Sequence, residues 1–410
     1  MPDPVLSRRA LNRALLARQL LLERVDLPIE GAVEHLVALQ AQEPWDPYYQ
    51  LWSRLQGFDP FELARLLEER RVVRATSMLR TTIHLLTADD WLALRPVLQV
   101  VSDRGFATGS PFGRQLAGLD IDEVLAAGQD ALAERPLTAS QLRLILGERW
   151  PDRDATSLAY AVRYLVPLVQ TTPRAVWGKR GQPVLATAGL WLGREVGTST
   201  DPTDLILRYL RAFGPASVMD VQAWSWLTKL TPYVEALRPR LRTFRDEYGK
   251  ELFDVLDGVL PDADTPARPR FLPTYDNVVL GHKDRSRIIG DPKQDLMDGK
   301  AQWDEVFARG SILVDGFVSA GWRLEREDKG GAATVVVLPV RRQTLTPTER
   351  AAIEAERDYF VPLMAGFELR RASGDSHALD VRQYDADHEV ALNDARRDRL
   401  EFLAHQLELA

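Results

Sequence analysis

Apolar residues recur at three- and four-residue spacing through most of the first 240 positions, and the pattern breaks repeatedly into short β-branched runs. The spacing predicts a helix over Leu6–Glu23 with Ser7 as its N-cap. A second helix is predicted over Ile29–Leu39, and a third over Pro60–Arg70, with Asp59 as cap and Pro at the first helical position. RVVRATSM and RTTIHLLT then read as strands. The same grammar returns twice. Asp122–Glu134, LTASQLRLILGERW with Thr138 capping, and DATSLAYAVRYLV precede the strand-like VPLVQTT and QPVLATA. Thr203–Phe213, FGPASVMDVQAWSWL with Ser217 capping, and TPYVEALRPRL precede RTFRDEY and KELFDVL. Helices followed by a two-strand element are the winged-helix arrangement.

Linkers rich in Gly, Ser, Thr and Pro at Ala107–Gly118 and Gly193–Pro202 separate these segments. After PDADTPARPRFLP the chain turns strand-like, in FLPTYDNVVLG, RSRIIGD, GSILVDGFVSAGWRLER and AATVVVLPVRR, which suggests a small β-barrel or curled sheet. Two helices close the chain, over Pro347–Leu363 and about Val390–Leu409. The expected class is α+β, mostly α: three tandem winged-helix units over 1–106, 119–192 and 202–260, then a β-barrel-like domain over 270–345 and a helical segment over 346–410.

Composition narrows the chemistry. A chain of 410 residues, 45% hydrophobic and 27% charged, has the balance of a globular protein of several modules. No apolar run approaches the roughly 18–20 residues that cross a bilayer. The basic, amphipathic start reads as a helix rather than a signal peptide, so a cytoplasmic location is expected. There is no cysteine, which excludes disulfides, thiolate catalysis and cysteine-based metal sites. The six histidines are scattered, and there is neither a phosphate-binding loop nor a dinucleotide fingerprint, so no metal, cofactor or nucleotide is expected. The net charge of −7 is concentrated at the end: residues 346–410 hold fourteen Asp/Glu against eight Lys/Arg. The remainder is nearly neutral and has room for a local basic surface. Its cations are overwhelmingly Arg, suited to bidentate phosphate contact, although a GC-rich genome also enriches Arg.

LVALQAQ, LRTTIHLL followed by ADD, YLRAFGPASVMDVQAW, FLPTYDNVVLGHKDRSRII and SILVDGFVSAGWRL, in that order, resemble the AlkZ/YcaQ-like winged-helix DNA glycosylases from about Leu11 to Arg342. The resemblance implies three winged-helix units and a C-terminal barrel forming a concave channel for duplex DNA. It also implies an active site at Gln40-Ala41-Gln42, matching the family's Gln–hydrophobic–Gln triplet.

The residues themselves bear on that implication. Pro44 disfavours helix at Glu43, so Gln40 and Gln42 fall where the second helix ends, and in an extended segment both amides share a side. An amide has no accessible pKa and cannot act as a general base, but it can accept from a water while donating to an oxygen. That suffices for a purine alkylated at N7 or N3, which is already cationic and leaves without an acid. The alternative reading is a helix end with two exposed amides.

Read as a strand, Arg80, Thr82 and His84 share one face, fit to line a DNA channel, with His84 holding a phosphate or a water, or serving only as a structural histidine. Asn277, His282, Lys283, Arg285 and Arg287 crowd a Gly-punctuated hairpin able to meet the minor groove, with Asp276 and Asp284 orienting the cations; a solvated turn is the alternative. Trp45, Tyr49 and Trp52 lie at helical spacing and read as core, as do Trp224 and Trp226. Lysines are few and Lys283 is the nearest to any motif, so no Schiff-base lyase activity is expected.

The expected function is a monomeric, monofunctional DNA glycosylase acting on double-stranded DNA with alkylated bases. The rival is a winged-helix transcription regulator without catalysis. Its recognition helices would be Pro60–Arg70 and Asp154–Val166, which carry mixed charge with acids at or near their starts.

Overall fold

The computed structural model describes residues 3–291, 310–326, 333–339, 345–366 and 379–381. Its helices begin where the local chemistry directs. Ser7 Oγ accepts from Ala10 N and opens the helix Arg8–Arg18. Asp59 accepts from Phe61 N ahead of Pro60–Glu68. Thr138 and Gln141 form a capping box ahead of Ala139–Arg149, and Ser217 and Asp220 form another ahead of Val218–Ser225. The first two helices stop short of the apolar pattern. Arg8–Arg18 ends because Leu20 turns left-handed, and Ile29–His35 ends because Val37 does.

Several helices escape the pattern reading, the short Ala188–Leu192 among them. Ala88–Arg104, capped by Thr87, is buried on so many sides that its apolar stripe is blurred, and it contains Pro96. In the stretch read as a linker, residues 105–109 form a π-helical turn and Pro111–Gln115 a short helix.

The strands of the first two segments are not separate hairpins. They fuse into one six-stranded sheet in the order Leu39–Gln40, His84–Thr87, Val72–Ala75, Leu168–Gln170, Val184–Thr187, Leu137–Thr138. The seam pairs Arg74 with Gln170 and Ala75 with Val169. Register assigns the faces. Gln40, His84, Ala75 and Val169 are successive cross-strand neighbours, and Leu39, Leu85, Arg74 and Gln170 are the next row, on the opposite face. Ala75 and Val169 join the core that holds Trp91, Tyr209, Phe213 and Trp224, whereas Leu39 and Leu85 join the core around Tyr48 and Trp52.

In the third segment, the helices Thr203–Phe213, Val218–Ser225 and Thr231–Leu237 precede the antiparallel strands Leu241–Asp246 and Glu251–Val255, with Val5–Leu6 added in parallel. The first helix ties this segment down. Arg18 is buried and gives Asp254 two hydrogen bonds of 2.5 and 2.9 Å, and Asn12 donates to the carbonyls of Arg287 and Gly316 at 2.8 and 2.7 Å.

The C-terminal part corrects the barrel expectation. Five strands run in the order Arg270–Leu272, Gly310–Val314, Phe317–Arg326, Ala333–Pro339, Leu379–Val381, and the two outer strands do not meet, so the sheet among the described residues is open. The strand-like FLPTYDNVVLG and RSRIIGD yield only Arg270–Leu272; Asn277–Leu280 and Ser286–Ile289 are single helical turns. The helix expected over Pro347–Leu363 is Pro347–Gly366. The expected helix at about Val390–Leu409 lies outside the described residues. The chain is mixed α+β, as its composition of elements requires, and no described helix is long and apolar enough to cross a membrane.

Candidate active site

Gln40 ends the edge strand of the six-stranded sheet, and Gln42 follows as the chain leaves it. Ala41 N donates to Ile83 O at 2.8 Å, so the backbone stays in register with its neighbour through the triplet. Both glutamines are held by their oxygens. Gln40 Oε1 accepts from Arg80 Nη2 at 2.7 Å, and Gln42 Oε1 accepts from Ile83 N at 3.2 Å. Gln40 is buried, at 2% exposure, and Gln42 is half-buried, so Gln42 is the more exposed of the two residues.

The backbone of the triplet and of the two residues before it is braced from three directions. Gln50 Nε2 donates to Gln40 O at 2.8 Å. Arg74 donates to Ala41 O at 2.6 Å and to Gln170 Oε1 at 2.9 Å, linking the triplet to the second segment. Asn277 Nδ2 donates to Ala38 O at 2.7 Å. Burial, with Arg174's charge nearby, pulls the Arg74 pKa down to about 9, which leaves it a cation at neutral pH.

The stretch from Arg80 to His84 is not the alternating strand the sequence suggests. Residues 79–81 form a tight turn in which Arg80 and Thr81 take φ of 53° and 57°, and the strand starts only at His84. Arg80, Thr82 and His84 therefore do not share a strand face. Arg80 is half-buried between Trp224 O, at 2.8 Å, and Gln40. Thr82 is buried and donates to Leu79 O at 3.1 Å. His84 is fully buried beside Gln40 in the sheet, with Nδ1 3.2 Å from Thr82 O. A carbonyl only accepts, so Nδ1 carries the proton and Nε2 is an acceptor that meets no partner among the described residues. Burial first, then the Arg80 charge, lowers the His84 pKa to about 3.

That depression has a sign. Unfolded, the imidazole takes up a proton below its usual pKa near 6.5; folded, it stays neutral down to about 3. The stability it confers is complete above pH 6.5 and is lost as pH falls through the window from 6.5 to 3. At pH 5 the loss is on the order of 2 kcal/mol. Denaturant midpoints at pH 7.5 and pH 5 should therefore converge in His84→Gln relative to wild type; an equal acid loss in both would exclude His84 as the source.

Of the residues from 277 to 287 expected to meet DNA, only part is presented to solvent. Asn277, His282 and Arg287 are buried. Beyond Asn277's bond to Ala38, His282 Nε2 lies 3.1 Å from Phe213 O, and Arg287 donates to Pro215 O at 2.9 Å. The reason is that this stretch packs onto the helix Thr203–Phe213 instead of projecting as a hairpin. Tyr209 donates to Gly281 O at 2.7 Å, and a Cβ on Gly281 would lie 2.5 Å from the Phe213 ring. Lys283 and Asp284 are exposed and Arg285 is half-buried.

Sequence reasoning missed Arg54, Gln50 and Arg74 as supports, and it assigned Asp276 to the cations of its own stretch, whereas Asp276 pairs with Arg54, 222 residues away. Of the aromatics expected in the core, Trp52 and Trp224 are buried, and Trp45, Tyr49 and Trp226 are half-buried against it. Among the described residues, no group of three or more His, Asp or Glu is placed to hold a metal ion.

Residues 33–361 match the model of a family described as "DNA glycosylase AlkZ-like". Among solved structures, Streptomyces sahachiroi DNA glycosylase AlkZ is similar with a TM-score of 0.68 at 19% identity, over 93% of this chain and 100% of that one. No curated protein matches the chain.

Proposed function

The chain belongs to the AlkZ-like DNA glycosylase family, and from that footing we propose that it hydrolyses the N-glycosidic bond of purines alkylated at N7 or N3 in duplex DNA, with Gln40 and Gln42 at the reacting centre. The observation that carries the reading is the chemistry of the triplet. Two carboxamides lie two residues apart, one on a braced strand and one just past its end, and neither can gain or lose a proton near neutral pH. Such a pair cannot protonate a leaving base. It serves a leaving group that needs none.

An N7- or N3-alkylated purine meets that condition. Its ring is cationic, and cleavage returns the glycosidic electron pair to N9 and neutralises the charge. Water bonds to C1′ of the oxocarbenium-like sugar and releases its proton to solvent, leaving an abasic site. The amides then contribute orientation and polar stabilisation. Neutral bases such as uracil are poorer substrates on the same argument. No lysine among the described residues is placed with the triplet by a hydrogen bond or ion pair, and we take the enzyme to be monofunctional. An open site would accept bulky adducts or crosslinks that a snug flipping pocket excludes.

We further take the three helical segments with their strand pairs as winged-helix units acting together on one duplex, in a monomer working in the cytoplasm. Lys283 and Arg285 would supply phosphate contact; burial draws the Arg285 pKa down to about 10, still well above neutrality. Lys283→Ala should then weaken damaged and undamaged duplex alike and reduce the salt slope of log K by about 1. Fluorescence anisotropy between 50 and 200 mM salt reads both; an unchanged slope would remove Lys283 from the interface.

The reading is tested by single-turnover base release from a duplex holding one N7-methylguanine, with borohydride present to trap any imine. Release above the spontaneous rate, without a trapped adduct, supports it. Silence on this substrate, on a bulky N7 adduct and on a crosslink would favour a DNA-binding regulator.

A further inference from the structure

Arg80 was expected to meet DNA, but its side chain is engaged within the protein. Its Nη1 donates to Trp224 O at 2.8 Å and its Nη2 to Gln40 Oε1 at 2.7 Å. Trp224 lies near the end of the helix Val218–Ser225, whose last carbonyls have no following turn to satisfy them, and a cation is favoured there. One guanidinium thus ties the third segment to the glutamine of the first. The turn that presents it is held from the second segment as well, since Tyr164 donates to Thr81 Oγ1 at 2.8 Å. The backbone at Arg80 is left-handed, at φ 53°, which a non-glycine residue adopts at a cost of about 1 kcal/mol or more.

Arginine has donors and no acceptor, so the Gln40 atom facing Arg80 is the oxygen. The orientation of the carboxamide is therefore set, and its –NH2 is turned away from Arg80.

Resting on the reading of Gln40 as part of the reacting centre, we propose that Arg80 is a positioning residue that locks the Gln40 carboxamide, so that Gln40 acts on the lesion as a hydrogen-bond donor. A donor there suits the reaction. As the glycosidic bond breaks, electron density returns to the purine ring, and an N–H directed at its acceptor atoms strengthens as the bond lengthens. The guanidinium on Oε1 polarises the amide and improves that donor. Gln42, held by the neutral Ile83 N–H, lacks this polarisation.

The test measures single-turnover release of N7-methylguanine, and duplex affinity against salt, for wild type, Arg80→Ala, Arg80→Lys and Gln40→Glu. Arg80→Ala should slow release on the order of 10²-fold, the scale of a misplaced catalytic group. Its affinity and salt slope should stay at wild-type values. Arg80→Lys, which keeps a charged donor for Gln40 but loses the planar fork that holds both acceptors, should recover part of the rate. Gln40→Glu keeps an acceptor for Arg80 and gains a carboxylate, but loses the –NH2; it should fall on the order of 10²-fold as well.

Wild-type release by Gln40→Glu would overturn the donor assignment. Weakened binding in Arg80→Ala with a salt slope reduced by about 1 would return Arg80 to DNA contact. Should Arg80→Ala fail to fold, Arg80→Lys and Gln40→Glu still decide. A wild type that releases no base removes the reading of Gln40, and this proposal with it, whereas an active wild type with an equally active Arg80→Ala removes the proposal alone.

Discussion

Gln40→Ala/Gln42→Ala should release N7-methylguanine no faster than the duplex loses it spontaneously, while binding undamaged duplex as wild type does. Removal of one preorganised hydrogen-bonding group from a reacting centre costs ~10²–10³-fold elsewhere, and groups that act as a unit are lost together. The single variants should therefore lose nearly as much as the pair, and the shortfall from additivity measures their coupling. Fold is not the confounder it would be at a core position. Gln42 is half-buried, and its side chain makes one 3.2 Å bond to a backbone N–H. Gln40 is buried, but the strand it sits on is braced through its backbone carbonyl by Gln50. Melting temperature and single-turnover release, taken on the same preparations, separate the two effects. A double variant that keeps the wild-type rate would move the reacting centre away from the triplet.

How much of this was legible in the sequence follows from how far each determinant reaches. Caps are local, so Ser7, Asp59, Thr138 and Ser217 could be placed from a few neighbouring residues, and the structure places them at the helix starts. The triplet was found through resemblance; the helix before it ends at His35, ahead of the expected Leu39, and Leu39–Gln40 is already strand. What failed was non-local. NVVL is strand-like by composition, yet Asp276 caps it as a helical turn because Arg54 holds that carboxylate from 222 residues away. The seam that joins two hairpins into one sheet rests on Arg74 meeting Gln170, which no local pattern encodes. Arg80 read as a face of a strand because RTTIHLLT has the β-branched content of one. Its left-handed backbone is sustained by Trp224 and Tyr164, neither near it in sequence.

The same reach makes the Arg54–Asp276 pair the position where a single change should do most damage to stability. Both side chains are fully buried and meet through two bonds of 2.8 and 2.7 Å. Arg54 also donates to Gln50 O at 2.9 Å, and Gln50 in turn holds Gln40 O; Asp276 also caps Val278 N at 3.0 Å. Removing one partner strands a buried charge, which costs about 3–5 kcal/mol, roughly a fifth or more of a typical domain's stability. Arg54→Met and Asp276→Leu should each show that loss in denaturant titration. Arg54→Met/Asp276→Leu, which strands no charge, should lose much less than the two singles added together, since a pair of buried ions can be exchanged for apolar groups at little net cost. Excision separates support from mere stability. Where the double variant is folded but Gln50 has lost its anchor on Arg54, base release should remain below wild type, because the brace on the Gln40 strand is gone even though the fold has recovered. Single variants within 1 kcal/mol of wild type would show instead that the pair is reached by solvent and carries neither the fold nor the triplet.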